Sequence, residues 1–138
     1  MVADSQIYDW FTELGMKVEK IASGNFYFHI TIAPPIGEGV KVSIIRTNPN
    51  STYYIVTTVV DLDLNKIKKE PSLLRNIKRE LMRMNVEFFL LPPDAEVPKS
   101  IQIAKIVFID GLTKNEMLNV VELVKNSAYL TLSWLEGP

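Results

Sequence analysis

Residues 26–32, Phe-Tyr-Phe-His-Ile-Thr-Ile, decide the fold class, because Phe26, Phe28, Ile30 and Ile32 alternate with Tyr27, His29 and Thr31. Successive strand side chains point to opposite faces, so this stretch predicts a half-buried strand, which must end by Pro34-Pro35. Downstream, residues 40–46 and 53–60 are rich in β-branched and aromatic side chains, and Asn48-Pro49-Asn50-Ser51 between them reads as a hairpin loop. Three sequential strands of this kind predict an antiparallel meander.

Upstream, Ile7, Trp10, Phe11 and Leu14 follow the spacing of one helical face, with Ser5 as the expected N-cap and Gly15 as the stop. Residues 16–22 alternate weakly, as a short edge strand would, and Ser23-Gly24-Asn25 supplies a turn. Beyond the meander, Pro71 interrupts residues 64–84 and divides them into a short turn and an amphipathic helix. In that helix Leu73, Leu74, Ile77, Leu81 and Met84 gather on one arc, opposite Arg75, Arg79 and Arg83. Residues 86–91 and 101–109 predict two more strands joined through Pro92-Pro93-Asp94. Both are apolar on their two faces, as expected deep in a sheet.

Asp110-Gly111 marks a turn, and Thr113-Lys114-Asn115-Glu116 is a capping box that opens a last helix. Met117, Val121, Val124, Ala128 and Leu135 keep a helical stripe. Residues 129–134 also alternate like a strand, and continued helix is the expectation there. The order is α-β-β-β-α-β-β-α, an α+β domain with an antiparallel sheet and helices packed on one face.

Composition narrows the chemistry. A chain of 138 residues with 47% hydrophobic and 22% charged side chains is expected to form a single domain over residues 1–138. A chain this long buries roughly 68% of its unfolded surface without staples. The sequence has no cysteine, which excludes disulfides, thiol nucleophiles, Cys-ligated zinc and Cys-held iron–sulfur clusters. With His29 as its one histidine, the chain cannot by itself build a site on two or more histidines, so no cofactor is expected and only oxygen-ligand metals stay open. A net charge of −1 argues against a generic polyanion binder. Residues 1–6 lack the basic region and apolar stretch of a signal peptide, and no apolar run approaches bilayer length, so a cytoplasmic chain without membrane contact is expected.

Several groups invite a functional reading. Asp61, Asp63 and Asp110 lie near element ends where a cleft could gather them, but capping serves for Asp63 and turn formation for Asp110. Leu64 and Lys66 break any calcium-loop pattern after Asp61 and Asp63. His29 has an ordinary pKa suited to base catalysis, yet Tyr27 and Thr31 beside it make a semi-polar sheet face the simpler reading. Gly37-Glu38-Gly39 lacks a following helix N-terminus to receive an anion and reads as a flexible loop. No catalytic and no metal-binding residues are therefore assigned.

Two surfaces remain. Residues 66–83 carry seven cations against Glu70 and Glu80, a local balance of +5 that leaves −6 for the rest of the chain. Arg75, Lys78, Arg79 and Arg83 are its candidates for an acidic partner, beside the plain reading of a solvated face. On the last helix, Leu123, Leu130 and Trp134 fall roughly 100° from the main stripe and form a candidate self-association surface, with a core wrapped by the first helix as the other reading.

The element order resembles that of the type III secretion chaperone-like superfamily. More closely, the chain resembles an archaeal family known as domain of unknown function 2299. The residues carrying the resemblance are Tyr8-Asp9-Trp10-Phe11 with Leu14-Gly15, Phe28-His29-Ile30 leading to Pro34-Pro35, and Asp110-Gly111-Leu112-Thr113-Lys114-Asn115. The resemblance implies a cytoplasmic, dimeric chaperone-like fold whose better-known relatives hold extended segments of partner proteins, and it brings no catalytic residues. The chain is accordingly expected to be a non-enzymatic protein-interaction or chaperone-like module and a homodimer. The alternative is a nucleic-acid or acidic-ligand binder using the basic helix, with an enzyme as the third reading.

Overall fold

The β-branched runs pair into one antiparallel sheet of order β1-β2-β3-β4-β6-β5 in a computed structural model that describes residues 2–22 and 24–136. Its strands are β1 (Lys17–Lys20), β2 (Phe28–Ala33), β3 (Val42–Arg46), β4 (Tyr53–Asp61), β5 (Glu87–Leu91) and β6 (Ser100–Phe108). The helices are α1 (Asp4–Glu13), α2 (Leu64–Lys69), α3 (Pro71–Arg83) and α4 (Lys114–Glu136). The order foreseen from the sequence holds, with the short edge strand read in residues 16–22 present as β1 and α2 in place of the short turn before Pro71.

Partners in register share a face of the sheet. Tyr54 opposes Val107, Thr58 opposes Ile103 and Val60 opposes Ile101, all on the face that the helices cover. Ile30 opposite Ile44 extends the same layer toward β1. Against it pack Ile7 and Phe11 of α1, Leu73, Ile77 and Leu81 of α3, and Met117, Val121, Val124 and Ala128 of α4, forming one core. Helix α1 lies over β1 and β2, α4 over β3, β4 and β6, and α3 beside α4 and over β5.

Local chemistry explains the element ends. Ala3, not Ser5, is the N-cap of α1; its amide donates to Gln6 Oε1 at 2.9 Å, so a side chain from the first turn replaces the expected serine. Gly15 stops the helix with φ +81°, a left-handed conformation suited to glycine. Asp63 caps α2 through the Lys66 amide at 3.2 Å, and Pro71 opens α3, where its missing N–H costs nothing. The Glu116 amide donates to Thr113 Oγ1 at 3.1 Å at the start of α4. Residues 129–134 are helical. The buried Ser127 and Thr131 hydroxyls donate to carbonyls four residues back, at 2.8 and 3.0 Å, so neither needs a strand partner.

Two expectations are corrected. Strand β6 lies inside the sheet between β4 and β5, as expected, though it presents Ile106 and Phe108 to solvent; β5 is an edge strand with Phe89 52% exposed, so its two-sided apolarity does not mark a strand deep in the sheet. Phe26 does not share a face with Phe28, Ile30 and Ile32: it precedes β2, and its ring meets His29 edge-on at 5.7 Å. The bend at residues 24–27 breaks the alternation there. Ser23, part of the expected turn, lies outside the described residues.

A polar clasp fixes the start of α1 to the sheet. The buried Tyr54 hydroxyl donates to Asp4 Oδ1, and Arg46 Nη1 approaches Asp4 Oδ2 at 3.4 Å. The Arg46 guanidinium also donates to the Pro49 and Ser51 carbonyls, at 3.0 and 3.2 Å, closing the β3–β4 hairpin. Burial holds the Tyr54 phenol above its ordinary range, with the hydrogen bond and charge of Asp4 adding to the rise and Arg46 opposing it. Tyr54→Phe should therefore lower stability by about 1–2 kcal/mol, measured as a shift in urea midpoint at unchanged slope.

Candidate functional site

The helices leave one whole face of the sheet uncovered, and the registers give its composition. His29, Ile45, Ile55 and Ile106 lie in one row across β2, β3, β4 and β6, and Tyr53 opposes Phe108 in the next row. Thr31, Ser43, Thr57, Ala104 and Glu87 form a row on the other side of the first. Val59 opposes Gln102, which opposes Phe89 on β5. Phe108 is 65% exposed and Val59 53%, while Ile45 is almost covered by its neighbours.

Charge is distributed unevenly on this face. Across β3, β4 and β6 it is uncharged except for Asp61 at the extreme end of β4, whereas Lys17 and Glu19 of β1 and Glu87 of β5 lie at the two edges. Two polar groups at its centre meet one another: Thr57 Oγ1 donates to the Ile103 carbonyl at 2.8 Å and accepts from Gln102 Nε2 at 3.0 Å. Covering Thr57 strips little hydration that is not already replaced. An uncharged centre thus lies between sheet edges that carry charge.

His29 belongs to this face. Its two ring nitrogens are buried and have no hydrogen-bond partner among the described residues, and Phe26 and Ile45 flank it. Burial lowers its pKa.

The sequence-derived candidates separate in space. Asp61 is the last position of the β4–β6 ladder and Asp110 lies beyond its other end, so the nine paired positions set them roughly 27 Å or more apart. Asp63 caps α2. No group of three or more His, Asp or Glu side chains among the described residues is placed to hold a metal ion. Gly37-Glu38-Gly39 is anchored rather than loose: the Val40 amide donates to the Tyr129 hydroxyl at 3.2 Å, and a Cβ on Gly39 would meet that oxygen at 2.7 Å. The loop lines an open cleft of about 460 Å³ with Lys17, Glu19, Thr31 and Lys41, whose charges are mixed.

Leu123, Leu130 and Trp134 are half-buried, and Leu123 and Trp134 pack against the core. Helix α3 lies along α4, and Trp134 lines a cleft of about 500 Å³ with Leu73 and Asn76, so α3 rather than α1 flanks this side. Arg75, Arg79 and Arg83 are exposed and Lys78 is half-buried. Arg83 pairs with Glu80 at 3.0 Å, and the other three make no ion pair among the described residues. Sequence reasoning missed the uncovered sheet face as a surface. Its signal was present in Ile106, Phe108 and Phe89, apolar positions on the faces opposite Val107 and Phe88.

The sequence matches the DUF2299 family of uncharacterized conserved proteins over residues 3–135, and the chain belongs to that family. Among solved structures, an uncharacterized protein from Methanothermobacter thermautotrophicus is similar, with TM-score 0.82 and 18% identity over 98% of this chain and 97% of that one. YbjN from E. coli, described as a proposed transcription regulator, is similar at TM-score 0.55 and 15% identity, over 98% of this chain and 90% of that one. These likenesses support the α+β fold with a single antiparallel sheet. Curated proteins gave no match. No helix among the described residues is long and apolar enough to cross a membrane.

The buried, unpaired His29 gives a pH dependence of defined sign. Its folded pKa lies below the ordinary 6.5, so the unfolded chain takes up the proton first. The stability from its neutral form is full above the unfolded value of 6.5 and is lost as pH falls from there toward the folded value. His29→Leu should flatten the stability profile as pH falls through about 6.5, read by urea unfolding.

Proposed function

We propose that this chain is a non-enzymatic protein-interaction module of the chaperone-like kind that works as a homodimer, two copies meeting through their uncovered sheet faces. The observation carrying the reading is the uncharged centre of that face, bordered by charge on β1 and β5. Six strands span about 29 Å and run about 13–30 Å, a plan area of roughly 600 Å². One side of a stable interface covers about 600–1,000 Å². A flat apolar patch also suits an isologous contact, in which the same surface serves both partners. The wide separation of Asp61 from Asp110 supports a non-catalytic role.

A second reading rests on a different observation, the unpaired cations of α3. Arg75, Lys78 and Arg79 suit an acidic ligand or nucleic acid, and contacts of this kind weaken steeply with salt because they release counterions.

The dimer reading is tested by light scattering at tens of micromolar. The native chain should show twice the monomer mass. The double variant Ile106→Glu, Phe108→Glu should show the monomer mass with unchanged circular dichroism, because both side chains already face solvent within one copy. A native chain that stays monomeric contradicts the reading. For the second reading, retention on heparin should fall by about 10-fold in the triple alanine variant of Arg75, Lys78 and Arg79; a native chain that passes heparin unretained at low salt removes it.

A further inference from the structure

The two edges of the sheet are defended differently. Strand β1 is four residues long and reads Lys-Val-Glu-Lys, with all but Val18 exposed. Short, charged edge strands resist the addition of another chain. Strand β5 reads Glu-Phe-Phe-Leu-Leu, pairs with β6 along one side and has no strand on the other among the described residues. Its last four residues are apolar, and nothing in them blunts the edge.

The layer above this edge carries positive charge at Lys78 and Arg75, unpaired among the described residues. Across the covered face the helices run α1, α4, α3. Ser72, Leu73 and Asn76 of α3 line the cleft shared with Ser133 and Trp134 of α4, which fixes the flank turned toward α4. At about 100° per residue, Leu74, Lys78 and Met82 fall on the opposite flank, toward the outer side of β5. Met82 is 66% exposed, and neither Lys78 nor Arg75 above it has an ion pair among the described residues.

We propose that the β5 edge accepts an extended acidic segment of a partner protein as a seventh strand. On the open face that segment is apolar and continues the surface of Phe89 and Leu91. On the other face it presents a carboxylate to Lys78, which stands between Leu74 and Met82. Strand addition supplies main-chain hydrogen bonds, and alternate side chains supply the choice of partner. A second copy does not fit here, because joined β5 edges would bring two α3 helices together, each within a segment of charge +5. The proposal rests on the reading of the chain as an interaction module and adds where a client strand binds and what charge it carries. The edge stays open when two copies meet face to face.

The test is fluorescence anisotropy with the full chain and a labelled synthetic peptide alternating valine and glutamate. Two versions N-methylated at alternate amides, one in each phase, keep the charge but block pairing on one side; a third peptide carries lysine for glutamate. The unmodified peptide should bind. The weaker N-methylated phase and the lysine peptide should each lose about 10-fold or more in affinity, and Lys78→Glu should weaken binding about 5-fold or more. Amide exchange at residues 88–91 should slow in the bound state. Absence of binding overturns the proposal, as does equal affinity for both N-methylated phases and the parent, which would leave only charge on α3, or undiminished affinity for the lysine peptide. A native dimer that dissociates on substitution at Ile106 and Phe108 while no peptide binds removes the edge alone and leaves the interaction module standing.

Discussion

All the long helices of this chain fall on one side of its sheet, and the rest of the molecule follows from that asymmetry. Helices α1, α3 and α4 each bury an apolar stripe against the same face, joined by Ile30, Ile44, Tyr54, Val56, Ile101 and Ile103 from the strands. Hydrophobic burial at roughly 25 cal/mol per Å² makes this layer the main stabilising term. The other face has no helix to cover it, yet its centre is nearly free of charge. An antiparallel sheet can leave one face in water, but that face is then ordinarily polar. Here Phe89, Ile106 and Phe108 occupy it instead.

The polar groups of the fold serve chiefly to end and fasten its elements. Asp4, Tyr54 and Arg46 tie the first turn of α1 to the sheet and to the β3–β4 hairpin. Tyr129 holds the 34–41 loop through the Val40 amide, and Thr57 and Gln102 satisfy one another on the open face. Groups committed to such bonds are positioned by the fold for its own integrity.

Much of this architecture is legible in the sequence because period and caps report on local geometry. The alternation at 28–32, the proline at 71 and the Thr113–Glu116 pair locate a strand, a break and a helix start without tertiary information. Tertiary placement is harder to read. Two-sided apolarity in residues 86–91 and 101–109 has two physical causes, burial on both faces or burial on one face with an apolar open face on the other, and periodicity does not distinguish them. The same ambiguity hid the candidate surface. Leu130 and Trp134 looked unpartnered because the position of α3 beside α4 depends on contacts distant in sequence. The Asp4–Tyr54 contact joins residues 50 positions apart, and no local pattern announces it.

The chain belongs to the DUF2299 family and is similar in fold to YbjN, and the open face is the feature on which the proposed dimer depends. Hydroxyl-radical footprinting at nanomolar and at tens of micromolar chain reads that face most directly. If copies meet there, labelling of Phe89, Ile106 and Phe108 falls several-fold at the higher concentration while Ile36, exposed on its loop, reacts equally at both. Equal labelling of Phe108 at the two concentrations would contradict the account.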